Sequence, residues 1–163
     1  MTELPAKTLN RMAALLMHGE IELVDCSAVL GPETPVEPLP GSNARWDVEI
    51  HKISEYDADG PFFAWNWLLV GEHAGTHVEA PRAWAPDAAG ADALDPGSLI
   101  GPACVIDCSA DCAADAGFLL TEAHVRAWEA VHGAIPAGAW VLMRSDWDAR
   151  LDDRDAFLND GQY

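Results

Sequence analysis

Apolar residues recur at helical spacing near the start of the chain and at alternating spacing in a later segment. Leucine, methionine and alanine fall on one stripe between Pro5 and Gly19, which predicts a helix that Gly19 ends. Alternation over Trp46–Ser54 predicts a half-buried strand, and the mostly apolar run Phe62–Gly71 predicts a second one. Asp57–Pro61, between the two runs, carries the residues of a turn.

A segment of mixed character separates that helix from those strands. Ile21 and Leu23 alternate with acidic residues, so Glu20–Ser27 is predicted as a short strand. Prolines then follow at Pro32, Pro35, Pro38 and Pro40, flanked by Gly31 and Gly41. Because proline cannot donate to a strand ladder, this stretch is predicted as an extended loop.

The second half of the chain alternates between strand and helix signals. Leu99–Cys108 is predicted as a buried strand followed by an acidic loop, and Trp140–Arg144 as a further strand. Thr121–His132 is predicted as a helix that Gly133 ends, and another helix is expected to begin near Asp152. No repeat or linker divides the sequence, so residues 1–163 are interpreted as one domain. Predicted strands outnumber helices, which favours an α/β domain with a mixed sheet.

The composition excludes several classes of protein and partner. Of the 163 residues, 50% are hydrophobic and 22% charged, which is typical of globular domains rather than disordered chains. The net charge of −18 repels nucleic-acid phosphates and anionic lipid head groups. No apolar run approaches the roughly 20 residues of a membrane span, and the apolar patch Met12–Met17 lacks a signal-peptide cleavage site. We therefore expect a cytoplasmic protein that binds neither nucleic acid nor membrane.

Three of the four cysteines lie four residues apart in the run CVIDCSADC. The paired two-residue spacing of zinc ribbons is absent from this run. Cys104, Ile106 and Cys108 alternate on one face of the predicted strand, where cysteine packs as a small apolar residue. We interpret these cysteines as core residues.

One short segment, HAGTHVEAP, combines two histidines with a carboxylate directly after a predicted strand. Imidazole nitrogens and carboxylate oxygens, here of His73, His77 and Glu79, are the ligands of catalytic zinc and of Mn/Fe-type sites. In an extended chain His77 and Glu79 point to the same side, and Gly75 allows the backbone to turn so that His73 converges on them. A metal there would lower the pKa of bound water and polarise a carbonyl. The competing interpretation is a chance cluster of hydrogen-bonded surface residues.

Aromatic residues flank this segment on both sides. Trp65 and Trp67 share one face of the preceding strand, and Trp84 lies just after the candidate ligands. A flat aromatic substrate bound beside a metal would stack on such residues, so Trp65 and Trp84 are candidate substrate contacts. Core packing is the competing interpretation for both, and the preferred one for Trp67.

The run HAGTHVEAP resembles the H-x-G-T-H-x-D-x-P signature of the cyclase family of metal-dependent hydrolases, which includes bacterial kynurenine formamidase and isatin hydrolase. The similarity extends over most of the chain, through IELVDCSAVLGPETPVEP, GPFFAWNWLLVGEH and AWEAVHGAIPAGAWVLMRSDWDAR. The runs WNWLLVGEH and RSDWDAR are closer to the isatin hydrolase branch.

This resemblance implies a fold, a cofactor and a reaction. The implied fold is a mixed-sheet α/β domain of the swivelling β/β/α type, usually a homodimer. The family binds Mn or Zn and hydrolyses an amide, lactam or formamide bond of a small aromatic substrate. The metal-ligand positions of the signature fall on His73, His77 and Glu79, with Glu79 in place of the usual aspartate.

Two departures from the family pattern stand out. The signature continues P-x-H, and that histidine is the proposed acid/base, whereas Pro81-Arg82-Ala83 places a methyl group at the position. Losing a general acid/base typically forfeits about 10²–10⁴-fold in rate. Arg82 cannot replace it, because a guanidinium stays protonated. Family members also continue past the region of FLNDGQY with another His and Glu near the metal, so the domain is expected to be incomplete at its C-terminus.

Two hypotheses about function follow. The leading one is a metal-dependent hydrolase that uses metal-activated water on a cyclic amide such as isatin or an aryl formamide such as N-formylkynurenine. The alternative is a catalytically impaired or non-catalytic family member that binds a metal or small ligand, or a fragment completed by another segment. Intact His73, His77 and Glu79 favour the enzyme, whereas Ala83 favours the alternative. The catalytic acid and base stay unassigned.

Overall fold

The computed structural model describes residues 4–38 and 46–159, in which helices and strands are interspersed along the chain. The helices are α1 (Leu4–Met17), α2 (Ser109–Ala114), α3 (Glu122–His132) and α4 (Arg154–Leu158). The strands are β1 (Glu49–Asp57), β2 (Gly60–Leu69), β3 (Ala103–Asp107) and β4 (Trp140–Arg144). In the described ranges β1 and β2 pair antiparallel and β3 and β4 pair parallel, as two separate sheets.

The predicted helices are confirmed with small shifts at their ends. Gly19, just after α1, has a φ of 72°, the left-handed conformation that terminates helices. Thr121 caps α3, because its backbone N–H donates to Nδ1 of His124 at 3.0 Å and its side chain accepts from the backbone there. Gly133 ends α3 with a φ of 90°. α4 begins directly after Asp153, whose carboxylate caps it.

The segment Glu20–Ser27 forms no strand, so that prediction is wrong. Each sheet in the described ranges contains two strands, and none of them pairs with this segment. The alternation of Ile21 and Leu23 is not sufficient, because a strand also needs a neighbouring ladder for its backbone groups. The loop that follows is irregular to position 38, while the predictions for Pro40 and Gly41 lie outside the described residues.

β1 and β2 form a tight hairpin whose register shifts twice along β1. The turn predicted at Asp57–Pro61 is shorter than expected, because the strands extend into it. Gly60 is required where β2 begins, since a Cβ there would lie 2.6 Å from the Ser54 side chain. Ser54 is buried, and its hydroxyl donates to the carbonyl of Phe63 at 3.1 Å. The hairpin leads the chain into the HAGTHVEAP run.

The main apolar cluster of the described structure lies between β3 and the helices α2 and α3. Ile106 and Cys108 at β3 and Cys112 of α2 form the cluster, and Cys104 of β3 is also buried. Partly buried residues packed against this cluster are Phe118, Leu120, Val125 and Trp128. The indole N–H of Trp128 donates to the Val105 carbonyl at 2.9 Å, which ties α3 to β3. The interpretation of these cysteines as core residues is confirmed, and the acidic loop predicted after the strand contains α2.

The chain exposes a large amount of surface for its size. Its accessible area is 13046 Å², against about 7,900 Å² expected for a compact monomer of 17.5 kDa. Every residue of β2 after Gly60 is exposed, and so is every residue of β4. In the described part of the chain, no helix is both long and apolar enough to cross a membrane.

Candidate metal centre

The candidate ligands lie in the irregular segment that follows β2. Ala74 anchors this segment, because it is buried against Val36 and Val48 in a small apolar cluster. Thr76 supplies a second anchor, since its hydroxyl oxygen accepts a hydrogen bond from the backbone N–H of Ala28 at 3.0 Å. Each anchor is the immediate neighbour of one of the two histidines. These two contacts therefore hold the backbone of the segment against the rest of the chain, while both histidines remain exposed.

Gly75 reverses the backbone between the two histidines, as predicted. Its φ is +65°, a left-handed conformation that costs other residues roughly 1–2 kcal/mol. The space beside it is also tight, because a Cβ would lie 3.0 Å from Cδ1 of Leu30. The turn brings the rings of His73 and His77 to 5.5 Å between centroids, at an interplanar angle of 75°.

Three donor atoms converge beside this turn. Oε1 of Glu79 lies 2.9 Å from Nδ1 of His73 and 3.5 Å from Nε2 of His77. The donor atoms of the three residues lie within 4.8 Å of one another, a spacing that could hold a metal ion. Two imidazole nitrogens and one carboxylate oxygen are a donor set that zinc and manganese accept, so these residues fit a divalent metal. The structure brings together all three ligands predicted from the sequence.

A hydrogen bond to the backbone orients the imidazole of His77. Its Nδ1 lies 2.9 Å from the carbonyl oxygen of Gly75. Because a carbonyl can only accept, Nδ1 carries a proton and donates it, which makes Nε2 the nitrogen available to a metal. Nε2 is the nitrogen that faces Glu79. In His73 the other ring nitrogen, Nδ1, faces Glu79. Its Nε2 lies 3.8 Å from the carboxylate of Glu72.

The carboxylate of Glu79 is engaged at both of its oxygens. Oε1 faces the histidines, and Oε2 accepts a hydrogen bond from the indole N–H of Trp84 at 2.6 Å. The pKa of Glu79 is lowered, first by this indole hydrogen bond and then by hydrogen bonding with His73 and His77. Glu79 is therefore ionised at neutral pH, which is the state that a metal ligand requires.

The site is open to solvent. The side chains of His73, His77 and Glu79 are 46%, 28% and 35% exposed. This exposure leaves access for water and for a small molecule at the point where the donor atoms meet.

The tryptophans differ in whether they contact the candidate ligands. Trp84 contacts Glu79 directly, whereas the ring contact of Trp65 is with Phe63, edge-on at 6.0 Å. Trp67 is 50% exposed, so the expectation that it packs in the core is wrong. It stacks on the imidazole of His51 at 4.2 Å, on a hairpin whose residues are left exposed.

Sequence reasoning missed the hydrogen bond between Trp84 and Glu79. Their five-residue separation follows neither strand nor helix periodicity, because the short 3₁₀ turn Pro81–Ala83 lies between them. Ala83, at the position of the family histidine, is exposed in that turn and directly precedes Trp84. Proline at the start of the turn was the one signal in the sequence, and it indicates a turn without specifying the contact.

The chain is similar to known proteins in sequence. The family model described as "Putative cyclase" matches residues 24–162. The isatin hydrolase of Roseibium aggregatum is 55% identical over 157 residues, which cover 93% of this chain and 60% of that protein.

Solved structures of isatin hydrolases have a similar fold. One bound to the product analogue thioisatinate has a TM-score of 0.89 at 53% identity, covering 99% of this chain and 63% of that chain. Isatin hydrolase A from Ralstonia solanacearum has a TM-score of 0.87 at 42% identity, covering 98% and 62%. These likenesses confirm the α/β fold class, and the chain spans about 60% of the length of the relatives it matches. Because the family model matches most of this chain, residues 24–162, the chain belongs to the cyclase family.

Proposed function

We propose that this chain acts, as a single domain over residues 1–163, as a metal-dependent hydrolase of a small aromatic cyclic amide such as isatin. The observation that carries the proposal is the convergence of His73, His77 and Glu79 donor atoms within 4.8 Å. Support comes from the 55% identity to an isatin hydrolase. An aryl formamide such as N-formylkynurenine is the second substrate class to test.

The three ligands supply orientation and charge. When bound, a divalent metal, proposed as Mn or Zn, lowers the pKa of water and polarises a carbonyl oxygen. His73 and His77 act as neutral donors, while Glu79 contributes one negative charge. This donor set leaves net positive charge at the site, which favours the negative charge that develops on a carbonyl oxygen during hydrolysis.

Two tryptophans are proposed to bind the aromatic part of the substrate. The indole edge of Trp84 is fixed to Glu79 while the residue remains 81% exposed, so a ring face is available beside the donor atoms. Trp65 lies on the strand that leads into the site and is 54% exposed. Aromatic rings stack favourably on such surfaces.

Ala83 limits the expected rate. Its methyl group cannot transfer a proton, so proton transfer at this position falls to solvent. A general acid or base typically contributes about 10²–10⁴-fold. We therefore propose slower turnover than in a cyclase with histidine at this position.

The proposal also covers the oligomeric state and the cellular compartment. We propose a homodimer in which a second copy covers the exposed strands β2 and β4, and light scattering of the purified chain would test it. The four cysteines are free thiols, which suits the reducing conditions of the cytoplasm, where we place the protein.

The test is isatin hydrolysis by the purified chain, after metal removal and after reloading with Mn²⁺ or Zn²⁺. We expect turnover only with metal, and its loss in His77→Ala. His132→Ala is the matched control, because that imidazole stacks on Trp128 outside the site. Equal turnover by the metal-free chain or by His77→Ala would refute the proposed mechanism. Metal binding without turnover of isatin or N-formylkynurenine would indicate a non-catalytic family member or a fragment completed by another segment.

A further inference from the structure

We propose that Trp84 is a positioning residue for Glu79: its indole N–H holds one carboxylate oxygen so that the other is directed at the two histidines. The inference rests on the metal site of the proposed function and assigns a role to a residue outside the ligand set. It also adds to the stacking role of Trp84, because the indole edge is used for Glu79 and a ring face is left for substrate.

The two oxygens of Glu79 have separate partners. Oε2 lies 2.6 Å from Nε1 of Trp84, while Oε1 lies 2.9 Å from His73 Nδ1 and 3.5 Å from His77 Nε2. A carboxylate with only Oε1 engaged can still rotate about its terminal torsion, since such sp³–sp² torsions are broad. A second hydrogen bond at Oε2 removes that freedom. The indole therefore fixes which oxygen is presented to the metal position.

The backbone between Glu79 and Trp84 turns back, so that the indole lies next to the Glu79 carboxylate. Pro81 starts a 3₁₀ turn, with backbone N–H groups donating from Ala83 to Ala80 at 2.9 Å and from Trp84 to Pro81 at 3.1 Å. Trp84 is 81% exposed, so little packing holds its side chain in place. The hydrogen bond to Glu79 accounts for the orientation of this exposed ring.

The length of the glutamate side chain matters for this arrangement. Position 79 has one methylene more than the aspartate of the family signature, and its carboxylate reaches the histidines and the indole at the same time. We expect an aspartate on the same backbone, one methylene shorter, to lose one of these two contacts. The contribution of Trp84 should therefore depend on glutamate at position 79.

Calorimetric titration of the metal-free chain with Zn²⁺ alone tests this inference through affinity rather than activity. Trp84→Phe keeps an aromatic ring and removes the N–H, and we expect it to weaken metal affinity about tenfold, as loss of an outer-shell partner does. Trp84→Gln restores an N–H four bonds from Cα, as in tryptophan, and should recover part of the loss. Trp67→Phe is the matched control and should leave the dissociation constant within about twofold of the parent.

A double-mutant cycle separates positioning from a general structural effect. In a Glu79→Asp background, adding Trp84→Phe should change the dissociation constant by less than about twofold. An equal loss in both backgrounds, or a Trp84→Phe chain that binds Zn²⁺ as tightly as the parent, would overturn the positioning role while leaving the metal site intact. A parent chain that binds no Zn²⁺ would overturn the metal site and this inference together.

Discussion

Replacing Gly75 by alanine should test the turn that brings the two histidines together. At its φ of +65° an alanine pays roughly 1–2 kcal/mol of left-handed strain. The new Cβ would also lie 3.0 Å from Leu30 Cδ1, a contact that a flexible side chain can relieve by a small shift. We therefore expect a loss in the free energy of unfolding of about 1–2 kcal/mol, dominated by the backbone.

Gly71→Ala is the matched control in the same loop. Gly71 has no positive φ, and a Cβ there would meet nothing within 4 Å, so the free energy of unfolding should stay within about 0.5 kcal/mol of the parent. In the double variant Leu30→Ala, Gly75→Ala, the contact between the new Cβ and the Leu30 side chain is absent, whereas the backbone strain at position 75 remains.

Urea denaturation followed by tryptophan fluorescence measures both variants. Gly75→Ala should unfold at lower urea with an unchanged slope, and its melting temperature should fall by roughly 2–4 °C per kcal/mol. Equal midpoints for Gly75→Ala and Gly71→Ala would refute the left-handed turn. Metal affinity should also fall in Gly75→Ala, because the Gly75 carbonyl accepts the Nδ1 proton of His77.

Three further predictions concern proton transfer, thiols and acid stability. Ala83→His should raise isatin turnover by up to about 10²-fold with little change in metal affinity, and no gain in kcat would contradict a rate limited at position 83. Cys26 is exposed whereas the other three cysteines are buried, so a thiol reagent should modify one cysteine rapidly in the native chain and none in Cys26→Ser. The pKa of Asp107 is lowered, first by hydrogen bonds from Ser109 and then by the charge of Arg144. The ionised Asp107 therefore stabilises the fold above the unfolded pKa of about 3.9, and this stabilisation is lost as the pH falls through the lower folded pKa. Asp107→Asn should flatten the fall in the free energy of unfolding below about pH 4. Parallel pH curves for the parent and Asp107→Asn would contradict this contribution.

Local signals in the sequence were sufficient for much of the fold. α3 has both a capping threonine and a terminating glycine, and β4 has the bounds predicted from five consecutive residues. The turn at Gly75 could be predicted because a glycine between the two histidines readily adopts a positive φ, and its φ is 65°. In each case the determining interactions lie within a few positions along the chain.

The features that the sequence did not reveal depend on contacts between distant segments or on turn geometry. Glu20–Ser27 alternates like a strand, yet nothing local shows whether a pairing partner exists. Trp67 lies in an apolar run, and its exposure depends on what covers the hairpin rather than on the run itself. The hydrogen bond between Trp84 and Glu79 depends on a 3₁₀ turn whose length the residue pattern does not specify.

The metal content of the purified chain tests the central claim most directly. The measurement is elemental analysis after dialysis against trace Mn²⁺ and Zn²⁺, on the parent and on the His73→Ala, His77→Ala double variant. We expect about one metal ion per parent chain and almost none in the double variant, because the structure brings these donors to one point. Equal metal content in both chains, or none in either, would contradict the assignment of His73, His77 and Glu79 as a metal site.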